Sequence, residues 1–217
     1  MTWHEKDFEE KITPYIEDRY WRIFSNCGLN NIYRSSRDIE QNERYLFMDK
    51  ELAIDTHLIF SNGSKLTFQE KTLKPYQRKY QHFTFEYYND PQNNIEGEWF
   101  KLAAQLYFFG YAGCEKGFYL NKGCNGRCEK CEHLKKHCEY WIIDIAEMRL
   151  FLNKNYTIAD MKNNKWLKWN PPPAKANFWA IPFSIFPDDV FLIKKNKTNT
   201  DKMQKILNTN DFLRIAK

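Results

Sequence analysis

The chain has 217 residues, enough for one domain with a sizeable core. Aromatic side chains make up 17% of it (seven Trp, thirteen Tyr, seventeen Phe). A mean hydropathy of −0.75 therefore reads as a polar surface around an aromatic interior, and a wholly disordered chain is excluded. Thirty-three basic against 28 acidic residues leave +5, which permits a nucleic-acid partner without requiring one. No run of ~18 apolar residues offers a membrane span, and the start has no signal-peptide core, so a soluble, cytoplasmic protein is expected.

Residues 5–25 predict a helix, with Phe8, Ile12, Ile16 and Tyr20 on one stripe and a bend or later start at Pro14. Residues 26–42 are polar and read as loop with a short helix. Two strand-like runs follow in ELAIDTHLIFSNGSKLTFQEKTLK (51–74), around an Asn62-Gly63 turn. The basic segment KTLKPYQRKYQ then leads into HFTFEYYND, a third strand with alternating Phe83, Phe85 and Tyr87. GEWFKLAAQLYFFGYA has helical spacing and good helix formers, ending near Gly110 or Gly113. A Cys-rich insert at 112–139 precedes EYWIIDIAEM, an apolar run suited to a strand buried on both faces. Residues 153–177 look irregular around WLKWNPPPAK, NFWAIPFSIF suits one more strand, and 201–215 a closing helix. The expected fold class is α/β: a small mixed β-sheet flanked by helices, as a single domain over 1–217 containing the insert.

The turn decides what the hairpin does. A two-residue turn would set Asp55 opposite Glu70. A three-residue Ser61-Asn62-Gly63 loop pairs Phe60 with Ser64 and sets Asp55 opposite Gln69, on one face with His57, Thr67 and Lys71. Only the longer loop gathers Ile54, Leu58, Phe60, Leu66 and Phe68 on a common apolar face, and a one-residue slip would misplace them all. It is therefore the expected register. Asp55 and the amide oxygen of Gln69 are hard ligands suited to Mg²⁺ or Mn²⁺, and Lys71 two residues on would lie beside a metal-bound water. The alternative is an ordinary solvated strand face.

Six cysteines are present, five of them between Cys114 and Cys138. In a reducing compartment such crowding points to metal. Cys124, Cys128, Cys131 and Cys138 are the expected Zn²⁺ ligands, with Cys114, His133 or His137 as alternatives for one of them. Few apolar residues lie in the insert, so metal would supply its folding free energy. Lys74, Arg78, Lys79 and His82, interleaved with Tyr76 and Tyr80, suit phosphate contact and base stacking, or else form a solvated charged loop. Trp166 and Trp169 beside Lys165 and Lys168 suggest a second substrate-facing loop.

Asp55, Gln69 and Lys71 on paired strands resemble the PD-(D/E)xK nuclease superfamily, whose fold is restriction-endonuclease-like. The resemblance covers about 5–148 and includes the order helix, Asp strand, Q-x-K strand, third strand, Gln-bearing helix and buried strand. It implies a Mg²⁺-dependent nuclease acting on DNA, with Asp55 and Gln69 on the metal, Lys71 stabilising the hydroxide or the phosphorane, and Lys74, Arg78, Lys79 and Lys101 near DNA. KLAAQLYFFGYA looks like the Q-x-x-x-Y element of RecB-type members, which makes Gln105 a catalytic candidate. Two departures stand out: Ile54 replaces the signature Pro, and Gln69 replaces an acid. Glu70 in the other register, or Glu17, Glu10 or Glu43, are candidates for the missing carboxylate. RecB-type members also suggest a [4Fe–4S] cluster on Cys27, Cys128, Cys131 and Cys138 in place of zinc. Restriction-type members admit a homodimer. The rival readings are a catalytically inactive nuclease-fold DNA-binding protein and a zinc-organised interaction module.

Overall fold

The apolar stripe of the first segment packs as expected. In the computed structural model, which describes residues 3–35, 43–113, 137–170 and 175–208, helix α1 (Trp3–Phe24) buries Phe8, Ile12, Ile16, Tyr20 and Phe24. Pro14 lies inside this helix without ending it. The next stretch holds more structure than its polarity suggests. A 3₁₀ turn at Ser25–Cys27 leads into β1 (Leu29–Arg34), and α2 (Glu43–Leu52) precedes the hairpin. β1 lies at the edge of its sheet, so Asn30 and Asn31 stay exposed and mask the strand pattern.

The hairpin of β2 (Thr56–Phe60) and β3 (Lys65–Leu73) takes the three-residue loop. Phe60 N donates to the Ser64 carbonyl at 3.0 Å, Leu58 faces Leu66 and Thr56 faces Phe68. Gly63, at φ 82°, takes the left-handed position that a side chain would strain. Leu58, Phe60, Leu66 and Phe68 pack under α1. Ile54 does not join them. The chain turns at Ala53 (φ 47°), and Ile54 enters the core on the opposite side of the sheet.

The helix expected over GEWFKLAAQLYFFGYA is corrected. Only α3 (Glu98–Lys101) is helical, and Leu106–Ala112 is strand β6, buried at all seven positions. Leu106 and Phe108 point into the core with α1, while Tyr107, Phe109 and Tyr111 point into the other core. A strand covered on both faces has no polar alternation to betray it, and its aromatic run imitates a buried helix.

β6 lies parallel to β3, and every other pairing is antiparallel. The order of the seven-stranded sheet is β1-β2-β3-β6-β7-β10-β11, with β7 His137–Asp144, β10 Phe191–Lys194 and β11 Lys197–Thr198. One face carries α1 and Met203 of α6 (Thr200–Asn208). A second, antiparallel sheet covers the other face, in the order β5-β4-β9-β8 (Ile95–Glu96, His82–Asp90, Asn177–Pro182, Leu167–Trp169). Between the sheets lie Phe83, Phe85, Trp141, Trp179 and Ile181, with Met148 and Leu152 of α4 (Ile145–Asn155) and Met161 of α5 (Ile158–Asn163). The protein is thus mixed α/β with a mixed sheet flanked by helices, but larger than expected, and Phe83, Phe85 and Tyr87 belong to the second sheet. No helix among the described residues is long and apolar enough to cross a membrane.

Candidate functional site

β3 presents two different polar faces at its C-terminal half. Glu70 points the same way as Phe68, toward α1. Its carboxylate accepts from Tyr20 Oη (2.9 Å), Thr56 Oγ1 (2.7 Å) and Arg34 Nη1 (2.8 Å). Arg34 Nε donates to Glu17 at 2.7 Å. Arg34 and Glu70 side chains are 6% and 7% exposed, so the pair is buried and fully engaged. Glu17 and Glu70, considered as extra metal ligands from sequence, serve Arg34 instead. Burial alone would lower the Arg34 pKa, but Glu70, Tyr20 and Glu17 together outweigh it and hold the guanidinium charged.

Gln69 and Lys71 alternate with that face and point toward the second sheet. Asp55 stands just before β2, where its N–H donates to Phe68 O at 2.8 Å and Oδ2 accepts from Glu70 N at 2.7 Å. These two bonds pin the carboxylate to the end of the ladder. Burial first, then the Glu70 charge, push the Asp55 pKa well above the usual carboxylate range. The Glu70 amide opposes the shift, and Asp49 and Glu98 add to it. Gln69 Oε1 is buried without a hydrogen-bond partner.

Lys71 Nζ lies 3.6 Å from Glu86 Oε1 on β4, and about a third of the lysine side chain remains exposed (34%). Burial disfavours its charge, but Glu86, Glu98, Glu9 and Asp55 overcome that and raise its pKa above the ordinary lysine value. The ammonium is therefore a fixed positive charge, not a base.

Glu98 completes the group, and nothing in the sequence marks it. Gly97 places it there: Gly97 N donates to Tyr87 O at 2.9 Å, and a Cβ at position 97 would lie 2.5 Å from the Glu86 carbonyl oxygen. Only glycine allows the chain so close to β4. Burial pushes the Glu98 pKa up to about 7, Lys71 opposes, and Glu86 adds to the rise. Glu98 Oε1, like Gln69 Oε1, is buried and unpartnered.

The remaining candidates separate. Gln105 lies between α3 and β6, where Oε1 accepts from Thr67 N at 3.0 Å and its own N–H donates to Thr67 Oγ1 at 3.0 Å. It ties β6 to β3, and the helical setting expected for a Q-x-x-x-Y element is corrected. Lys101 Nζ donates to Lys50 O at 3.1 Å, and Lys74 lies over the Phe8 ring. Arg78 pairs with Glu139 at 2.6 Å, and Lys79 lies over the exposed Tyr80 ring in the 3₁₀ turn Pro75–Tyr80. Cys27 is a free thiol packed against the α1 core, its pKa raised by burial. Cys114, Cys124, Cys128 and Cys131, and the side chain of Cys138, lie outside the described residues.

Among the described residues, no three His, Cys, Asp or Glu side chains are grouped as a ready metal site. The donors on the Gln69 side are of another kind: one carboxylate, one amide oxygen and the unpartnered oxygen of Glu98, all hard and suited to Mg²⁺ or Mn²⁺. Compared with family models, with curated proteins and with solved structures, the chain matches none.

Proposed function

We propose that the chain is a metal-dependent nuclease that hydrolyses DNA phosphodiester bonds, on a restriction-endonuclease-like core. The observation that carries this reading is the Gln69 amide oxygen, buried and unpartnered on the side of β3 that also presents Lys71, whose charge Glu86 and Glu98 support first, then Glu9 and Asp55. Desolvating an acceptor without a bond costs about 1–3 kcal/mol, so the Gln69 and Glu98 oxygens, kept buried and unpartnered in a region of carboxylates, support a cation site there. The order α1, β1, β2, β3, then β6 parallel beside β3, supports the same core.

Asp55 and Gln69 would hold the cation, with Glu98 offsetting the charge that Gln69 lacks. A bound Mg²⁺ or Mn²⁺ supplies Lewis acidity and a more acidic water. The chain's own contribution is positional and electrostatic. The Glu70 amide and Phe68 carbonyl fix Asp55, and Lys71, kept protonated by the surrounding carboxylates, neutralises charge that builds on the phosphate. Lys79 and Tyr80, in the turn that follows β3, would be available to contact a bound strand. Zinc on Cys124, Cys128, Cys131 and Cys138 is proposed from their spacing alone. Metal analysis and visible absorbance of anaerobically purified protein separate it from a [4Fe–4S] cluster.

A second reading, a nucleic-acid-binding protein without catalysis, is favoured by one feature: Gln69 is neutral where an acid would bind metal more tightly. Incubation of mixed DNA substrates with Mn²⁺ tests both. The nuclease reading expects cleavage that Lys71→Ala abolishes. Binding without cleavage supports the second reading, and cleavage unaffected by Lys71→Ala removes Lys71 from the chemistry.

A further inference from the structure

The second sheet reaches the candidate centre through one strand edge. β4 pairs with β9 from His82 to Tyr88, but β5 pairs with it only at Tyr88 and Asp90, which leaves the other edge of β4 open at Thr84 and Glu86. Residues two apart on a strand present their backbone groups to the same edge. Side chains from the centre close it. Tyr107 Oη on β6 donates to Thr84 O at 2.9 Å, and the Glu86 N–H donates to the Glu98 carboxylate. The Glu86 carbonyl in turn abuts Gly97, where a Cβ would lie 2.5 Å from its oxygen. The backbone of Glu86 is thus held between β9 and the Gly97–Glu98 turn. Its side chain is 41% exposed, and a carboxylate oxygen lies 3.6 Å from Lys71 Nζ.

Lys71 needs such a partner. Its ammonium sits on a flexible four-carbon stem with a large rotamer entropy. The first sheet offers it no hold: Gln69 is neutral, and Phe109, its register partner on β6, is aromatic. Glu86 is the one acid within ion-pair distance of it among the described residues. At 3.6 Å the contact is longer than a normal hydrogen bond, so it orients the ammonium without occupying its three donors. We propose that Glu86 is a positioning residue that acts through Lys71, aiming the ammonium from the second sheet at a phosphate seated beside Asp55 and Gln69. The proposal rests on the nuclease reading above and adds a residue to it. An ion pair between two mobile surface side chains contributes little. Here the backbone of one partner is fixed on both sides, and the lysine is oriented before a substrate arrives, which is how pre-organisation acts on rate. The Glu86 carboxylate cannot itself bind an anionic substrate, so its effect falls on kcat and not on KM.

The test is steady-state cleavage of DNA in Mn²⁺ by wild type, Glu86→Gln, Glu86→Asp and Lys71→Ala, with thermal midpoints measured alongside. Glu86→Gln keeps the size of the side chain and removes its charge. It is expected to lower kcat on the order of tenfold, with KM and the midpoint unchanged. Glu86→Asp keeps the charge on a shorter stem, and its kcat is expected to fall between those of Glu86→Gln and wild type. A kcat unchanged in Glu86→Gln, or a fall matched by a rise in KM or a lower midpoint, overturns the positioning role. If cleavage still requires Lys71 in that case, the nuclease reading stands without Glu86. No cleavage by the wild type overturns both.

Discussion

Glu70 and Gln69 are neighbours on one strand, yet their surroundings could hardly differ more. Every oxygen of Glu70 is matched, by Arg34, Tyr20 and Thr56, whereas Gln69 Oε1 on the other face is buried with no partner, and Asp55 and Glu98 are acids that burial and neighbouring carboxylates keep from ionising easily. A closed polar network rigidifies a fold, and an open one stores a cost that a ligand can relieve. The α1 side of β3 is thus structural, and the side toward the second sheet is the one to interrogate for chemistry.

The contrast breaks most visibly on the closed side. Arg34→Ala leaves Glu17 and Glu70 without their shared cation, and denaturant unfolding should show a loss of about 3–5 kcal/mol. Replacing Arg34 and Glu70 together by Met and Leu should recover most of that loss. On the open side, Lys71→Ala should leave the unfolding midpoint nearly unchanged while lowering cleavage on the order of 10²–10³-fold, the usual cost of removing one group that stabilises developing charge.

The pH dependence separates the sides further. Glu98 binds its proton more tightly folded (about 7) than unfolded (4.5), so the folded state holds more protons between those values. Stability from this group is fully present below pH 4.5 and declines as pH rises through 7. Thermal unfolding across this window should show that slope in the wild type and a flatter one in Glu98→Gln. The smallest effect is expected at Gln69→Glu, which restores a charge among acids. It should lower the thermal midpoint in EDTA by a few degrees and tighten Mn²⁺ binding measured by calorimetry.

The hairpin register was legible because four apolar side chains at alternate positions leave only one loop length that keeps them together, and Leu58, Phe60, Leu66 and Phe68 obey it. Local pattern failed where both faces of an element are covered. β6 carries Tyr107, Phe109 and Tyr111 into one core and Leu106 and Phe108 into the other, so its residues announce burial but not period. Glu98 was invisible for a different reason. Its place depends on Gly97 touching the Glu86 carbonyl, a contact between segments that no spacing encodes. The acids that sequence spacing did suggest, Glu17 and Glu70, are drawn away by Arg34, a residue on a strand whose exposed asparagines hid it.

The most direct test is anomalous scattering from crystals soaked in Mn²⁺. The expected result is a peak between the Asp55 carboxylate and the Gln69 amide oxygen, on the Lys71 side of β3. An empty position there, with Gln69 Oε1 satisfied by a protein or water donor at full Mn²⁺ occupancy elsewhere, would contradict the nuclease reading.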